Sequence, residues 1–480
     1  MNNPHQDCYF LDPELALQTA QQQNRVPQTI AVSGLQICYL GTDQPVSDPP
    51  PNLIHVPPRE TLGFLTNTRL RLPKKIVLSP TLPPQIANRQ LHSFNQMLRT
   101  VAQKRLELTR IYAEQLLRQC PVFEPGEPLR VFIPASRLTT VMQYASRDLA
   151  NAFRALGHEV LFMIETNDME EFEPHIVLQE QFRFKPHLVV NINHRANGWL
   201  HPEVFNLCWW QDPMPELRAA KPLAWRERDL IYSYNKDLDE LLFRTGVPHV
   251  RRQGFCVDRS IFRPVQNRPR ETKIVFIGSG VPASQLQKDA AEQQAFEEIS
   301  ARLEQGEKIT PALCHEIALA HQIDPHFAYW KLFYFAVRRN TVRWLCRQKH
   351  IPVEIYGRYW EDDEIVAPLY RGEVPHGEGI AEIYRSAKYA FVCHPFEVQS
   401  QRLIEAAACG AIPVVFDCRH IAEQPHWDEH CLFFASPAEL DEALKLAPPK
   451  SPEVMAEHYD YRIFVQNICD TIWQQVAGKC

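Results

Sequence analysis

Apolar residues follow two rhythms along most of this chain. From residue 129 onward, short solid apolar runs occupy 129–133 (LRVFI), 159–164 (EVLFMI), 188–192 (LVVNI), 205–210 (FNLCWW) and 229–234 (DLIYSY). Runs of this kind, without strict alternation, are what strands buried on both faces require. Between the first two lies a helical stripe, Tyr144, Ala145, Leu149, Ala152, Phe153 and Leu156, and Gly157 stands where a helix end needs a left-handed residue. Strands alternating with helices predict a parallel, doubly wound sheet. A second series follows at 273–277 (KIVFI), 353–356 (VEIY), 389–393 (YAFVC) and 412–416 (IPVVF), the first of these closed by Gly278-Ser279-Gly280. A mostly helical stretch, about 283–349, interrupts its first crossover. The aromatic residues Phe327, Tyr329, Trp330, Phe333, Tyr334 and Phe335 within it read as core packing.

The first 125 residues behave differently. Prolines crowd 48–59 (DPPPNLIHVPPR) and 79–84 (SPTLPP), which predicts a loop-rich, partly extended segment. From 84 to 119 the pattern becomes one long helix, with Leu91, Phe94, Leu98, Val101, Leu106, Leu108, Ile111 and Leu116 near helical spacing and no interior Gly or Pro. Its apolar face has two candidate partners, the rest of the chain or a second copy, which makes a homo-oligomer through this helix one expectation. The organisation expected is therefore an extension over 1–125, a first α/β domain over 126–265, a second over 266–460 that carries the helical insertion, and a closing helix over 461–480 that crosses back.

Length and composition agree with this. The 480 residues exceed the roughly 250–300 at which a single core stops growing. A hydrophobic content of 45% against 22% charged side chains excludes wholesale disorder. The net charge of −6 supplies no global positive field for nucleic acid or an anionic membrane. No apolar run reaches the length of a membrane span and no signal-like start is visible, so the expected location is the cytoplasm. The cysteines number 13 without a regular framework or a CxxC, which disfavours structural disulfides and a ribbon-type zinc site. Cys418, His420, His426, His430 and Cys431 cluster in sequence but not at the usual ligand spacings, and Asp237-Leu238-Asp239 reads as the acidic first turn of a helix, so no metal and no cofactor are expected.

The stretch 394–417, HPFEVQSQRLIEAAACGAIPVVFD, carries the chemistry. It joins two buried strands through a loop and a short helix ended by Gly410. A helix starting near Gln399 or Ser400 turns its free N–H groups toward the carboxyl edge of the sheet, where open α/β sheets bind ligands and where a diphosphate fits. Glu397 then stands in the loop before the helix and Glu405 inside it, so a phosphate cradle is flanked by two carboxylates able to hold hydroxyls. In the first domain the strand-end loops 136–140 (SRLTT), 193–199 (NHRANGW) and 209–213 (WWQDP) place Asp212 and His194 as candidates to take or relay a proton. The absence of GxGxxG after 129–133 argues against a dinucleotide there.

The spacing Glu397-x7-Glu405 followed by AAACGAIPVVFD resembles the donor signature of retaining GT-B glycosyltransferases. More narrowly, QRLIEAAACG resembles the RxxEA-x-ACG pattern of the spore maturation protein-like glycosyltransferase family. Three further stretches agree with that resemblance: GFCVDRSIFRP, IYGRYW and EHYDYRIFVQNI. It spans about 129–473 and leaves out the first 125 residues. It implies a GT-B fold of two facing Rossmann-like domains with parallel sheets, a nucleotide-sugar donor, and transfer of a hexose-like sugar, with retention and without a required metal, to a glycan, protein or small-molecule acceptor that the residues do not identify. By the same resemblance Glu405 holds the donor ribose, Glu397 contacts the donor sugar, Gln399 and Ser400 lie beside the diphosphate, and Gly278 lets the domain-opening loop approach the phosphates. The chain departs from the pattern at GSGVPASQLQK, which lacks the Arg and Lys that relatives place after this strand; only Lys288 follows. Arg358 and Arg402 are the replacements expected to face the phosphates. That gap also keeps open a catalytically weak carbohydrate- or nucleotide-binding assembly component, with a nucleotide-sugar epimerase as a third reading.

Overall fold

Where a crossover helix covers each face of a short apolar run, the run becomes a strand of a parallel sheet. The computed structural model describes residues 7–23, 36–124, 126–137, 140–219, 221–282, 289–421, 427–446 and 450–478, and these build three such sheets. The chain divides into two compact units, Met1–Arg252 with Ile472–Cys480, and Gln253–Thr471.

The first unit holds two sheets. The extension, expected to be coil followed by helix, also contains β1 (Cys8–Phe10), β2 (Cys38–Leu40), β3 (Leu53–His55) and β4 (Lys75–Val77), all parallel in the order β3-β2-β1-β4. Each strand has three residues, too few for a period to show, and β1 and β2 are buried along their whole length. The buried Arg71 guanidinium pairs with the buried Asp7, whose carboxylate also accepts from Ile37 N at 2.8 Å. The second sheet contains β5 (Arg130–Pro134), β6 (Glu159–Met163), β7 (Leu188–Ile192), β8 (Phe205–Trp210), β9 (Asp229–Ser233) and β10 (Arg251–Arg252), in the order β10-β9-β8-β7-β5-β6. This is the doubly wound sheet that the apolar runs predict.

The long helix, Pro84–Arg118, lies on its own chain. Phe94, Val101 and Leu116 are buried, and so is Arg105, which interrupts the apolar stripe. Arg105 donates to the Leu65 carbonyl through Nε and Nη2, at 3.1 and 2.6 Å, and pairs with Glu173 at 2.6 Å. It therefore ties the extension to the start of the helix Pro174–Phe184, which crosses between β6 and β7. Backbone bonds from Arg71 N to Met169 O and from Glu171 N to Arg69 O complete the seam. Within the chain, this helix packs on the helices Pro58–Asn67 and Pro174–Phe184.

The second unit contains β11 (Glu271–Ile277), β12 (Val353–Tyr356), β13 (Ala387–Val392), β14 (Ile412–Phe416) and β15 (Leu432–Phe434), parallel in the order β12-β11-β13-β14-β15. The chain leaves β11 to one side for β12 and returns on the other for β13. The carboxyl ends of β11 and β13 therefore form the switch-point crevice in which sheets of this kind bind ligands. The insertion between β11 and β12 contains the helices Ala290–Glu304, Pro311–Ala320 and Tyr334–Arg347, with a π-helical turn at Ala328–Phe333. Such turns cluster at functional positions.

Arg105→Met keeps the packing of the stem but leaves the Leu65 carbonyl without its donor and Glu173 without its cation. The expected loss is about 1–3 kcal/mol, read as a lower urea midpoint of the transition that involves the first unit.

Candidate functional site

At the carboxyl ends of β11 and β12 the backbone approaches its neighbours closely enough to require glycine. A Cβ on Gly357, which has a φ of +125°, would lie 2.3 Å from the Gly278 carbonyl oxygen. That carbonyl also accepts the Trp360 indole N–H at 2.7 Å. The IYGRYW stretch thus fixes the loop after β11 through the glycine at its centre and the tryptophan at its end. A Cβ on Gly278 would lie 2.8 Å from Arg338 Nη1, so this glycine, expected to admit phosphates, also makes room for a guanidinium.

After β13 the chain enters the loop that holds His394 to Gln399. Ser400 is the N-cap of the helix Gln401–Ala408, its hydroxyl oxygen accepting from Leu403 N at 3.3 Å while its own hydrogen stays available to donate. The helix start expected from the sequence is thus within a residue of the observed one. Phe396 is gripped by the insertion: its ring centroid lies 5.0 Å from Tyr329, 4.8 Å from Trp330 and 5.7 Å from Phe333. The aromatic residues read as core packing therefore also hold the loop, directly beside Glu397. Glu397 is half-buried, and its charge adds to the upward push that burial gives the Cys418 thiol. The His394 imidazole, between Tyr334 and Phe396, is driven down to about 3 by burial and then by Arg338, so it is neutral.

Glu405 has no solvent exposure. One carboxylate oxygen accepts from His376 Nε2 and from Gln401 Nε2, both at 3.0 Å; the other pairs with Arg402 at 2.5 Å. Burial alone would raise this carboxyl, yet Arg402, His376 and Gln401 together hold it down to about 2. The residue expected to hold the ribose is thus engaged on both oxygens, and a ligand hydroxyl must displace or join His376 or Gln401 there. Neither of these two has a motif spacing that marks it. His376 is held by the linker, with the Phe262 ring 5.8 Å away, and Gln401 also donates to the Cys256 carbonyl at 3.0 Å. Gln399 packs on the same linker, where a Cβ on Gly254 would lie 2.0 Å from its amide nitrogen.

The two arginines expected to face the phosphates are both paired with acids: Arg402 with Glu405, and Arg358 with Glu373 at 2.6 Å. Lys288 lies outside the described residues, as does His426 of the Cys/His cluster. The described members of that cluster are engaged elsewhere, with His420 on the Ile309 carbonyl, His430 on that of Ser451 and the Cys431 thiol on the Met455 sulfur. Asp239 of the DLD triplet lies in the first turn of the helix Lys236–Arg244 and pairs with Arg252 at 2.6 Å.

In the first unit, Asp212 and His194 follow β8 and β7. Asn193, in the left-handed region with a φ of +61°, organises both loops. Its side-chain oxygen accepts from Gln211 N at 2.7 Å and Asp212 N at 3.0 Å, and its Nδ2 donates to the Asp212 carboxylate at 2.6 Å. Burial raises the Asp212 carboxyl against the opposing pull of Asn193 and Arg218, as a proton acceptor requires. His194 donates from Nδ1 to the Ile192 carbonyl at 2.9 Å, which leaves Nε2 as the acceptor, and surrounding protein lowers its pKa although solvent reaches the ring. Residues 138 and 139 of the third expected loop lie outside the described residues.

Residues 338–478 match the glycosyl transferase-like family, a segment that contains Glu397, Glu405 and the strands β12 to β15. No curated protein matches the chain. Solved structures similar to it include sucrose-phosphate synthase from Thermosynechococcus elongatus (12% identity, 73% of this chain and 100% of that one, TM-score 0.42). A glycosyltransferase from Rickettsia africae ESF-5 is similar at 10% identity over 72% and 98% of the two chains, with a TM-score of 0.45. Anabaena HepE in complex with UDP-glucose is similar at 10% identity over 72% and 100%, with a TM-score of 0.41. Among the described residues no helix is long and apolar enough to cross a membrane.

Because the Glu405 carboxyl is depressed in the fold, its stabilising contribution is complete above the ordinary glutamate range and is lost as pH falls toward 2. The melting-temperature gap between wild type and Glu405→Gln should therefore be widest near neutrality and narrow steadily below about pH 4.5. Differential scanning calorimetry across pH 7 to 3 checks this; a gap that widens toward acid contradicts it.

Proposed function

We propose that this protein is a glycosyltransferase that moves a hexose-like sugar from a nucleotide-diphosphate sugar to an acceptor hydroxyl or amine, with retention and without a required metal ion. The observation that carries the reading is the β13–loop–helix passage. A Ser400-capped helix start, the Glu397 carboxylate before it and the Glu405 carboxylate inside it stand at the switch point of a parallel sheet, within a segment that matches the glycosyl transferase-like family. On this reading the N–H groups of the helix start and the Ser400 hydroxyl receive the diphosphate, with Gln399 beside it, Glu405 takes a ribose hydroxyl, and Glu397 orients the sugar. Asp212 or His194 in the first unit accepts the acceptor proton. Retention and metal independence follow from the resemblance of the Glu397-x7-Glu405 signature.

The closed ion network on Glu405 favours one second reading, a nucleotide- or carbohydrate-binding component that turns nothing over. Calorimetric titration and turnover separate the two. Glu405→Ala, in protein that melts cooperatively, should weaken nucleoside diphosphate binding by about 1.5–3 kcal/mol. Glu397→Gln should leave that affinity unchanged, since the ligand lacks the sugar, yet lower turnover or donor hydrolysis about 10²–10⁴-fold. Binding of a nucleotide-sugar by wild type, with no turnover across a broad acceptor screen, decides for the second reading.

A further inference from the structure

The helix Tyr334–Arg347, the loop after β12 and the helix Gln401–Ala408 bring five arginines to this end of the second unit, and four have carboxylate partners. Arg339 and Arg343 share Asp363 at 3.8 and 2.9 Å, Arg358 has Glu373, and Arg402 has Glu405. Arg338 has no carboxylate within ion-pair range among the described residues. Its guanidinium lies against Gly278 at the end of β11, donates from Nη1 to the Ser279 carbonyl at 3.1 Å, and rests over the rings of Tyr334 and Phe276, 5.0 and 5.9 Å from their centroids. Its Nε is buried without a hydrogen-bond partner.

A half-buried cation that no neighbouring acid neutralises is costly, and an anion on its exposed side relieves that cost. Here two aromatic faces and one carbonyl hold the guanidinium in place, and none of them carries a formal charge that would neutralise it. The position is also specific. Arg338 touches the end of β11, and its charge is felt by Cys393 and His394 at the end of β13, so it stands at the switch point itself. His394 beside it is neutral and does not compete for an anion.

We infer that Arg338 is the cation that binds the diphosphate of the donor, supplied by the helix that ends the insertion rather than by the loop after β11, where the sequence has none. The inference rests on the donor reading above. It gives the insertion a role in the site: the same helical segment grips Phe396 through Tyr329 and Trp330 and delivers a planar donor fork suited to phosphate oxygens. As the bond from sugar to phosphate breaks, the leaving diphosphate gains charge, and a fixed guanidinium stabilises it without reorganising.

The test is calorimetric titration of the full chain with UDP, GDP and ADP, followed by the nucleoside of whichever binds. Arg338→Gln should weaken the diphosphate about 10–100-fold while leaving the nucleoside unchanged. Arg338→Lys should recover part of that loss, because charge without the planar fork is retained. Equal diphosphate affinity in wild type and Arg338→Gln overturns the assignment, and so does an equal loss for nucleoside and diphosphate, which marks a general disturbance of the fold. If wild type binds none of the three nucleotides, the donor reading has failed, and inorganic pyrophosphate then decides Arg338 alone. Pyrophosphate binding that Arg338→Gln abolishes supports the anion site, and absence of binding to wild type removes it.

Discussion

A carboxylate without solvent must have both oxygens met, and Glu405 imposes that condition on the second unit. Its position is set by a helix that cannot shift, because Leu403, Ile404 and Ala406 to Ala408 are buried around it. The partners must therefore come to it: Arg402 and Gln401 from its own helix, His376 from the segment before the helix Glu378–Ser386. Each brings further structure. Gln401 also reaches the Cys256 carbonyl of the linker, and the His376 ring lies beside Phe262, which is buried from the same linker. One buried charge thus connects the segment that opens the unit to the helix that borders the crevice. Such networks are costly when half satisfied, so a ligand that takes one oxygen of Glu405 must replace what it displaces.

The crevice has the opposite character. There the requirement is close approach of backbone, and glycine meets it: Gly357 against the Gly278 carbonyl and Gly278 against Arg338. Trp360 locks the arrangement from one side and the insertion's aromatic residues lock it from the other. Rigid packing beneath a site is the preorganisation that recognition of a developing negative charge requires, because donors held by it need not move when the charge appears.

In the first unit the same division recurs on a smaller scale. Asn193 adopts a left-handed backbone so that one side chain can satisfy two N–H groups of the following strand's loop and still donate to Asp212. The extension is held to this sheet by Arg105, a charged residue on the buried face of a helix that is otherwise apolar there. Its two bonds to a carbonyl that ends a neighbouring helix explain why a cation is tolerated at that depth.

The strands β5, β7, β8, β9, β11 and β14 were legible in the sequence because each is a run long enough, and apolar enough, to declare itself buried, whereas β12 (VEIY), an edge strand with half-buried Glu354 and Tyr356, was legible from its place in the same series. The passage from β13 to Gly410 was legible because a loop, a capped short helix and a left-handed glycine have local residue requirements, and the family pattern lay on the same residues. The small sheet of the extension was not legible, since strands of three residues separated by prolines carry no period and owe their existence to pairing partners distant in sequence. Nor were the partners of Glu405 or the position of Arg338. Sequence reasoning points to Arg358 and Arg402 and passes over Arg338; only the fold separates the five arginines, by placing an acid beside Arg339, Arg343, Arg358 and Arg402 and a glycine, a carbonyl and two rings beside Arg338. Strand and helix identity are local properties of the chain, whereas the charge state of a site depends on which distant residues tertiary packing brings within a few ångströms.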